Sequence, residues 1–300
     1  MGKSSQHNLW NNLYRHHDTN SYHLNRRMVD SLFILCHRGK PYNYYDCLAG
    51  LDVAPGKRII FKMESKNKIA RTAGLLYLIV VLTGIFSLMY VPSRLIVWTD
   101  AAKSFSNILE SETLFRLGII ASIICYVAFL LLPLVLYQLL NEVHKKMAAM
   151  MVALAVVSVP FSLFNLMFKM NALTLITDSS YLQIDLAGRQ AEVLLLLDYY
   201  NNGIQIVSVF WGLWLFPFGY LVFRSGFLPK FLGLMLMLGC FGYLINFTGS
   251  FLFSDYVSLG IRTYVSLPAS IGEIGICLWL LVFGVRKNLL SGHAISSTKI

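Results

Sequence analysis

Charged side chains are scarce in this chain, and their scarcity excludes an ordinary water-soluble domain. Asp, Glu, Lys and Arg make up 13% of the 300 residues, and 56% of the residues are hydrophobic. Soluble globular domains carry about 25% charged residues. The charges are also segregated, because long uncharged apolar runs alternate with short polar segments. Such runs, when they reach about 18 residues, are typical of transmembrane helices.

Several motifs of enzymes and binding proteins are missing. The five cysteines form no CxxC pair and no HExxH segment is present, so we predict neither a metal site nor a cofactor. All seven histidines lie outside the apolar runs, which excludes an intramembrane protease of the Ser and His type. No zinc-finger or ribonucleoprotein motif accompanies the net charge of +10, so we predict no nucleic-acid partner. We find no internal repeat of the kind that transporters show.

Six apolar runs predict an all-α membrane bundle with six transmembrane helices. Each run is long enough, at about 1.5 Å per residue, to cross a hydrocarbon core of about 30 Å. The membrane domain then covers residues 63–287, its surroundings are the lipid bilayer, and Pro133, Pro160 and Pro217 are expected kink points. The predicted spans are residues 72–91, 114–140, 148–170, 204–223, 231–251 and 267–285.

The basic residues predict the orientation of the bundle. Lys and Arg are more frequent before the first span, in the second and fourth loops and after the last span than in the other three loops. Because basic residues near span ends stay inside the cell, we expect both termini, including the tail 288–300, to be cytoplasmic. The basic residues on the predicted inner side are Lys57, Arg58, Lys62, Lys66, Lys68, Arg71, Lys145, Lys146, Arg224, Lys230, Arg286, Lys287 and Lys299.

Residues 1–62 are polar and basic and differ from the rest of the chain. Their longest apolar run is residues 32–36, which is too short for a signal peptide. We expect this extension either to be disordered or to be absent from the native protein. We hypothesise that the working protein starts at Met63, where the basic segment MESKNKIARTAGLLYL leads into the first span.

Five segments of the membrane domain carry a resemblance to a known family. They are KIARTAGLLYLIVVLTGIF (68–86), ETLFRLGI (112–119), FWGLWLFPFGYLVFRSGFLPKFLG (210–233), CFGYLI (240–245) and LPASIGEIGICLWLLVFGV (267–285). With these segments the chain resembles a family of bacterial integral membrane proteins catalogued as domain of unknown function 4386. The resemblance implies a six-pass bundle in the bacterial inner (plasma) membrane and implies no activity.

This chain departs from the family pattern at two places. Family members often have an acid shortly after FRLGI, where this chain reads FRLGIIAS, and a His just before the fourth span, where Tyr200 stands. These departures weaken any acid and base role shared across the family.

Polar residues inside the spans fall on single helical faces. In the third span one face carries Ser158, Ser162, Asn165 and Lys169, at spacings of i, i+4, i+7 and i+11. The sixth span and its approach repeat that spacing with Ser266, Ser270, Glu273 and Cys277. The fifth span offers a thin face made of Gly239, Gly242 and Asn246.

These faces predict a polar pocket. With the termini inside, the outer half of the bundle holds Glu273, Lys169, Asn165, Asn246 and Arg116. We expect an outward-facing pocket that binds a small amphiphilic ligand, with Glu273 about 9 Å below the outer end of its helix. Lys169 or Arg116 is the expected ionic partner of Glu273, because an unpaired buried charge is costly.

Three other interpretations remain open. Glu273 and Lys169 could form a purely structural ion pair. The protein could be a membrane scaffold or assembly partner without catalysis, or an enzyme that uses a Glu and Lys pair. The residues indicate no oligomeric state.

Two outer loops should contain helices. Asp100 and Ser111 are typical N-cap residues, so we predict a short helix over residues 101–109 and a helix start after Ser111. Residues 186–200 predict a separate, partly amphipathic helix ended by the segment 201–203, lying at the membrane surface or over the pocket.

Overall fold

The computed structural model describes residues 55–253, 255–256 and 258–285, with side chains from Glu64 onward. The chain divides into two units, Met1–Lys62 and Met63–Ile300. The predictions for residues 1–54 and for the tail 288–300 lie outside the described residues. The hypothesis of a start at Met63 therefore stays a prediction.

The described residues are mainly helical and contain no strand, and the fold class is confirmed as an all-α membrane bundle. Six helical segments are long and apolar enough to cross a membrane. The first of them, Glu64–Leu95, includes a π-helical turn. The elements are α1 (Pro55–Gly84), a π-helix (Ile85–Tyr90), α2 (Val91–Leu95), α3 (Ala101–Glu110), α4 (Glu112–Leu140), α5 (Lys145–Thr177), a short 3₁₀-helix (Ser179–Tyr181), α6 (Leu186–Ser225), α7 (Lys230–Leu252) and α8 (Ile261–Val282).

All six predicted spans are present, but most helices extend beyond them. The sixth span, α8, begins at Ile261 rather than residue 267. The helices of the third and fourth spans, α5 and α6, are 33 and 40 residues long. Hydropathy marks only the segment that suits hydrocarbon, whereas backbone hydrogen bonding carries a helix on into polar surroundings. At about 1.5 Å per residue α6 is about 60 Å long, twice the thickness of a hydrocarbon core.

The predicted separate helix over residues 186–200 is wrong. Helix α6 runs without a break through the polar segment 201–203 into the fourth span. Gly203 does not end the helix; a Cβ atom there would overlap the side-chain amide of Asn165 on α5. The glycine provides space for a neighbouring polar side chain, and the segment is part of the fourth helix.

The predicted helix in the first outer loop is confirmed as α3. The Asp100 carboxylate accepts a hydrogen bond from the Lys103 amide at 2.9 Å, which is the expected N-cap. Ser111 lies at the start of α4 as predicted, but its side chain makes no capping hydrogen bond. We call the end of the bundle that carries the first, third and fifth loops the odd-loop end.

A small second core lies at the odd-loop end. Apolar side chains of α2, α3 and the adjoining ends of α4, α5 and α6 pack together there, among them Phe105, Ile108 and Leu197. The buried Arg189 of α6 donates to the Leu175 carbonyl at 2.8 Å, which satisfies one of the last free carbonyls of α5. This cluster holds the extended ends of α5 and α6 together.

Close helix packing in the main core depends on glycine. A Cβ at Gly74 of α1 would lie 2.5 Å from the backbone nitrogen of Leu281 on α8. A Cβ at Gly239 of α7 would lie 2.7 Å from Cα of Ala269, so the thin face predicted for the fifth span does pack against α8. Such small residues let helix backbones approach closely without a hydrophobic driving force from water.

The opposite end of the bundle is held by polar contacts. Lys66 of α1 forms a 2.7 Å ion pair with Glu142 in the second loop. The Asn67 side chain accepts a 2.8 Å hydrogen bond from the Val285 amide just after α8. The first and last spans are thereby joined at this end.

Candidate functional site

A cavity of about 380 Å³ lies inside the bundle between α1 with its π-helical continuation, α4, α6, α7 and α8. We call it the central cavity. Its walls are mainly apolar and aromatic, with polar side chains from α6, α7 and α8. The polar lining residues are Asn201, Gln205, Ser208, Asn246, Ser250, Arg262, Ser266, Ser270 and Glu273.

The central cavity runs from the odd-loop end towards the middle of the bundle. Asn201 and Arg262 are exposed at one end, and Trp214 is 1% exposed at the other. Asn201 and Trp214 are thirteen residues apart on α6, which corresponds to about 20 Å along the helix axis. The cavity therefore has a polar mouth and an aromatic floor.

Glu273 lies deep in the central cavity. It follows the first residue of α8 by twelve positions, which places it about 18 Å from that end rather than the predicted 9 Å. It thus lies near the middle of the 22-residue helix and not in the half nearer the odd-loop end. Its carboxylate accepts hydrogen bonds from Tyr77 of α1 at 3.3 Å and Tyr243 of α7 at 3.4 Å, so three helices meet at this group.

Asn246 lies at the mouth, where it joins α7 to the fifth loop and α8. Its amide donates to the Ser266 hydroxyl at 2.8 Å, and its carbonyl accepts from the Tyr256 hydroxyl at 2.7 Å. Both ends of the amide are therefore engaged by protein groups. The contacts give Asn246 a positioning role at the rim beside its place in the lining.

Lys169 and Asn165 belong to a second polar group, which we call the lysine cluster. It consists of Lys169, Asn165, Ser87, Tyr200 and Tyr126, all buried. The Lys169 ammonium donates to the Ser87 carbonyl at 3.4 Å and lies 4.1 Å from the centre of the Tyr200 ring. The Asn165 amide donates to the Tyr200 carbonyl at 2.8 Å.

The lysine cluster adjoins the central cavity without opening into it. Lys169 and Asn165 do not line the cavity, whereas Tyr126 does. The hydroxyls of Tyr126 and Tyr200 are 3.4 Å apart and share a hydrogen bond. The tyrosine pair therefore separates Lys169 from the cavity.

The predicted ionic partner of Glu273 is wrong. Lys169 binds the Ser87 carbonyl, and exposed Arg116 pairs at 2.5 Å with Glu112, four residues earlier on the surface of α4. Glu273 forms no ion pair with any Lys or Arg of the described residues. Of the five predicted site residues, the cavity brings together Glu273 and Asn246.

Sequence reasoning missed the aromatic residues that complete the site. Tyr77 and Tyr243 bind Glu273, and Trp214 forms the floor, where its ring contacts Phe129 edge-on at 5.2 Å. The available signal was a phenol hydroxyl in the middle of an apolar span, since a buried Tyr hydroxyl usually needs a partner. Within the described chain, no group of three His, Cys, Asp or Glu side chains could hold a metal ion.

Six membrane-crossing helices around a partly polar cavity define a multi-pass α-helical membrane protein. Residues 72–284 match the model of a family described as Domain of unknown function (DUF4386), and the chain belongs to this family.

The chain is also similar to an "Uncharacterized protein" of Archaeoglobus fulgidus. The two are 31% identical over 86 residues, which are 28% of this chain and 48% of that protein, so the match spans about half the relative's length. No solved structure matches the chain.

Proposed function

We propose that this protein binds a small amphiphilic molecule in the central cavity. The observation that carries the proposal is the placement of Glu273, a carboxylate near the middle of a membrane helix, in a cavity of about 380 Å³. Ionisable groups at that depth are costly and usually mark function. Cavities of about 300–1,000 Å³ that combine apolar walls with a few polar groups are typical of small-molecule sites.

The distribution of polarity in the cavity suits an amphiphile. A ligand's apolar body would contact Trp211, Trp214 and Phe129, which form much of the inner wall. Its polar groups would find Glu273 inside or the amides and hydroxyls at the mouth. A wholly polar ligand would leave the aromatic wall without a partner, and a wholly apolar one would bury Glu273 against hydrocarbon.

We place this protein in the cell's inner membrane, with both termini in the cytoplasm and the cavity mouth facing the outer side. The distribution of Lys and Arg supports this orientation, since the odd-loop end carries the basic-poor loops. The cavity would then take its ligand from the outer leaflet or from the space outside it.

The separation of Glu273 from Lys169 removes the support for catalysis by that pair. A general acid and base must reach the same reacting group, within about 3 Å of it or through one water. Glu273 lies in the cavity and Lys169 lies behind the pair Tyr126 and Tyr200. We therefore propose binding and not chemistry.

Native mass spectrometry of gently extracted protein tests the proposal. The variant Ser270→Leu places a larger apolar side chain in the cavity wall, one turn from Glu273. Thr248→Leu is the matched control, because Thr248 is exposed on α7, bonds only its own helix at the Leu244 carbonyl and does not line the cavity.

We expect a small molecule to remain bound to the wild type and to Thr248→Leu and to be lost from Ser270→Leu. Identical spectra for all three proteins would contradict the proposal. Ser208→Phe, on the facing wall formed by α6, should reproduce the loss from an independent position.

A further inference from the structure

The charge of Glu273 is unmatched by the protein. Among the described residues the ion pairs are Lys66 with Glu142, Lys68 with Glu64, and Arg116 with Glu112, and none involves Glu273. A half-buried carboxylate without a cation is unfavourable near the middle of a membrane helix. The cavity therefore lacks a positive charge at its inner end.

The hydrogen bonds that Glu273 does receive leave acceptor capacity free. Each of its two oxygens accepts one phenol hydroxyl, from Tyr77 and from Tyr243, at 3.3 and 3.4 Å. Hydroxyl donors usually approach a carboxylate to about 2.5–3.0 Å. Both oxygens are thus held in position by weak bonds and can accept a further, stronger donor.

Aromatic rings line the same cavity as the carboxylate. Trp214 and Tyr243 line the cavity with Glu273, and the Tyr77 ring lies 6.3 Å from the Trp214 ring. Tyr126 and Trp211 extend the aromatic wall towards the mouth, with ring centres 6.4 Å apart. Ring faces attract cations, and a carboxylate among aromatic rings is a combination suited to ammonium groups.

The protein's own cations lie away from this position. Arg262 is on the same face of α8, eleven residues earlier, and so about 16 Å along the helix axis from Glu273. Lys169 is behind the tyrosine pair and directs its ammonium at the Ser87 carbonyl. Neither occupies the space beside the carboxylate.

We propose that the ligand of the central cavity is an organic cation, an alkyl- or arylammonium whose charged nitrogen contacts Glu273 and whose apolar body lies along the aromatic wall. This inference rests on the proposed function, because it names the ligand class of the same cavity. It adds that the inner end selects for positive charge and that the tyrosines Tyr77 and Tyr243 orient the carboxylate.

Equilibrium binding of three probes of similar length tests the charge preference on the wild-type protein. The probes are octylammonium, 1-octanol and octyl sulfate, applied in labelled form to the protein in lipid nanodiscs, with binding to empty nanodiscs subtracted. We expect octylammonium to bind at least about tenfold more tightly than either other probe, since its N–H groups can donate to the carboxylate and its charge is attracted by the ring faces.

The same Glu to Gln change at two positions tests whether Glu273 is the residue that selects for positive charge. Glu273→Gln should weaken octylammonium binding about tenfold or more and leave 1-octanol unchanged. Glu112→Gln is its matched control, because Glu112 pairs with Arg116 outside the cavity, and it should change neither. Glu273→Asp keeps the charge and should retain most of the preference for the cation.

The outcomes separate this inference from the proposed function. Binding of all three probes with similar affinity, abolished by Ser270→Leu, would overturn the inference and support an amphiphile site without charge selection. A cation preference that survives Glu273→Gln would also overturn it. Failure of every probe to bind above empty nanodiscs, together with identical native spectra for the wild type and Ser270→Leu, would overturn both.

Discussion

Replacing Gly74 by alanine should force α1 and α8 apart. The new Cβ would lie 2.5, 2.8 and 2.9 Å from three backbone atoms of Leu281 and Leu280. Carbon atoms pack at about 3.5–4.0 Å, so the helices must separate locally by about 1 Å. Backbone atoms cannot rotate away as a flexible side chain can. We therefore expect Gly74→Ala to lower the unfolding free energy by the amount typical of overpacking, about 1–3 kcal/mol.

The same helix provides the control. A Cβ at Gly84 would meet only the sulfur of Cys125, at an ordinary 3.6 Å. Both glycines are in the α-helical part of the first span, so both alanine variants gain a similar helix propensity, about 1 kcal/mol. The difference between Gly74→Ala and Gly84→Ala then isolates the packing term, with Gly84→Ala at or above the wild type.

Unfolding by sodium dodecyl sulfate in mixed micelles, followed by tryptophan fluorescence, measures both free energies. One of the five tryptophans, Trp214, lies 6.3 Å from the ring of Tyr77, one turn after Gly74, so the signal includes a group close to the substitution. Equal unfolding free energies for the two alanine variants would refute the close contact between α1 and α8. That contact also positions Tyr77 against Glu273, so a separated pair should weaken cation binding as well.

Three further predictions follow from buried polar groups and from charge distribution. Lys169→Met should leave the unfolding free energy unchanged or higher in the same assay, since it removes a buried cation that has one long hydrogen bond; a marked loss would show that the lysine cluster is structural. Arg189→Met should lower it by about 1–3 kcal/mol, because the Leu175 and Ile176 carbonyls lose their donor; unchanged stability would refute this anchoring role. Fusions after the last residue should give fluorescent green fluorescent protein and inactive alkaline phosphatase, and the reverse pattern would refute a cytoplasmic C-terminus.

The six spans could be predicted because hydrophobicity is a property of each segment by itself. The ends of the helices could not, because they depend on neighbours. Helix α6 of the fourth span continues through Asn201 and Asn202 because its N-terminal part packs on α5 and α3. A glycine is needed at position 203 because the Asn165 side chain of α5 lies against it. Helix α8 of the sixth span begins six residues before the apolar run, where Arg262 and Ser266 lower the local hydropathy.

The residues that make up each polar face could be predicted from the sequence. The helix that each face contacts could not. Helical spacing correctly placed Ser158, Ser162, Asn165 and Lys169 on one buried face. A single sequence does not show which helix that face meets. The π-helical turn presents the Ser87 carbonyl to Lys169, and no residue type in that turn predicts the irregularity.

The absence of an ion pair between Glu273 and Lys169 determines which ligand charge the cavity can favour. Had Lys169 reached Glu273, the ion pair would have neutralised the carboxylate, and the inner end of the cavity would offer a ligand no charge. Instead Tyr126 and Tyr200 stand between them, and each charge is met by neutral partners, hydroxyls at Glu273 and a carbonyl with a ring face at Lys169. Neutral partners orient a charge without cancelling it. The carboxylate therefore remains available to a cation from outside the protein, and the lysine, closed off from the cavity, does not compete for it.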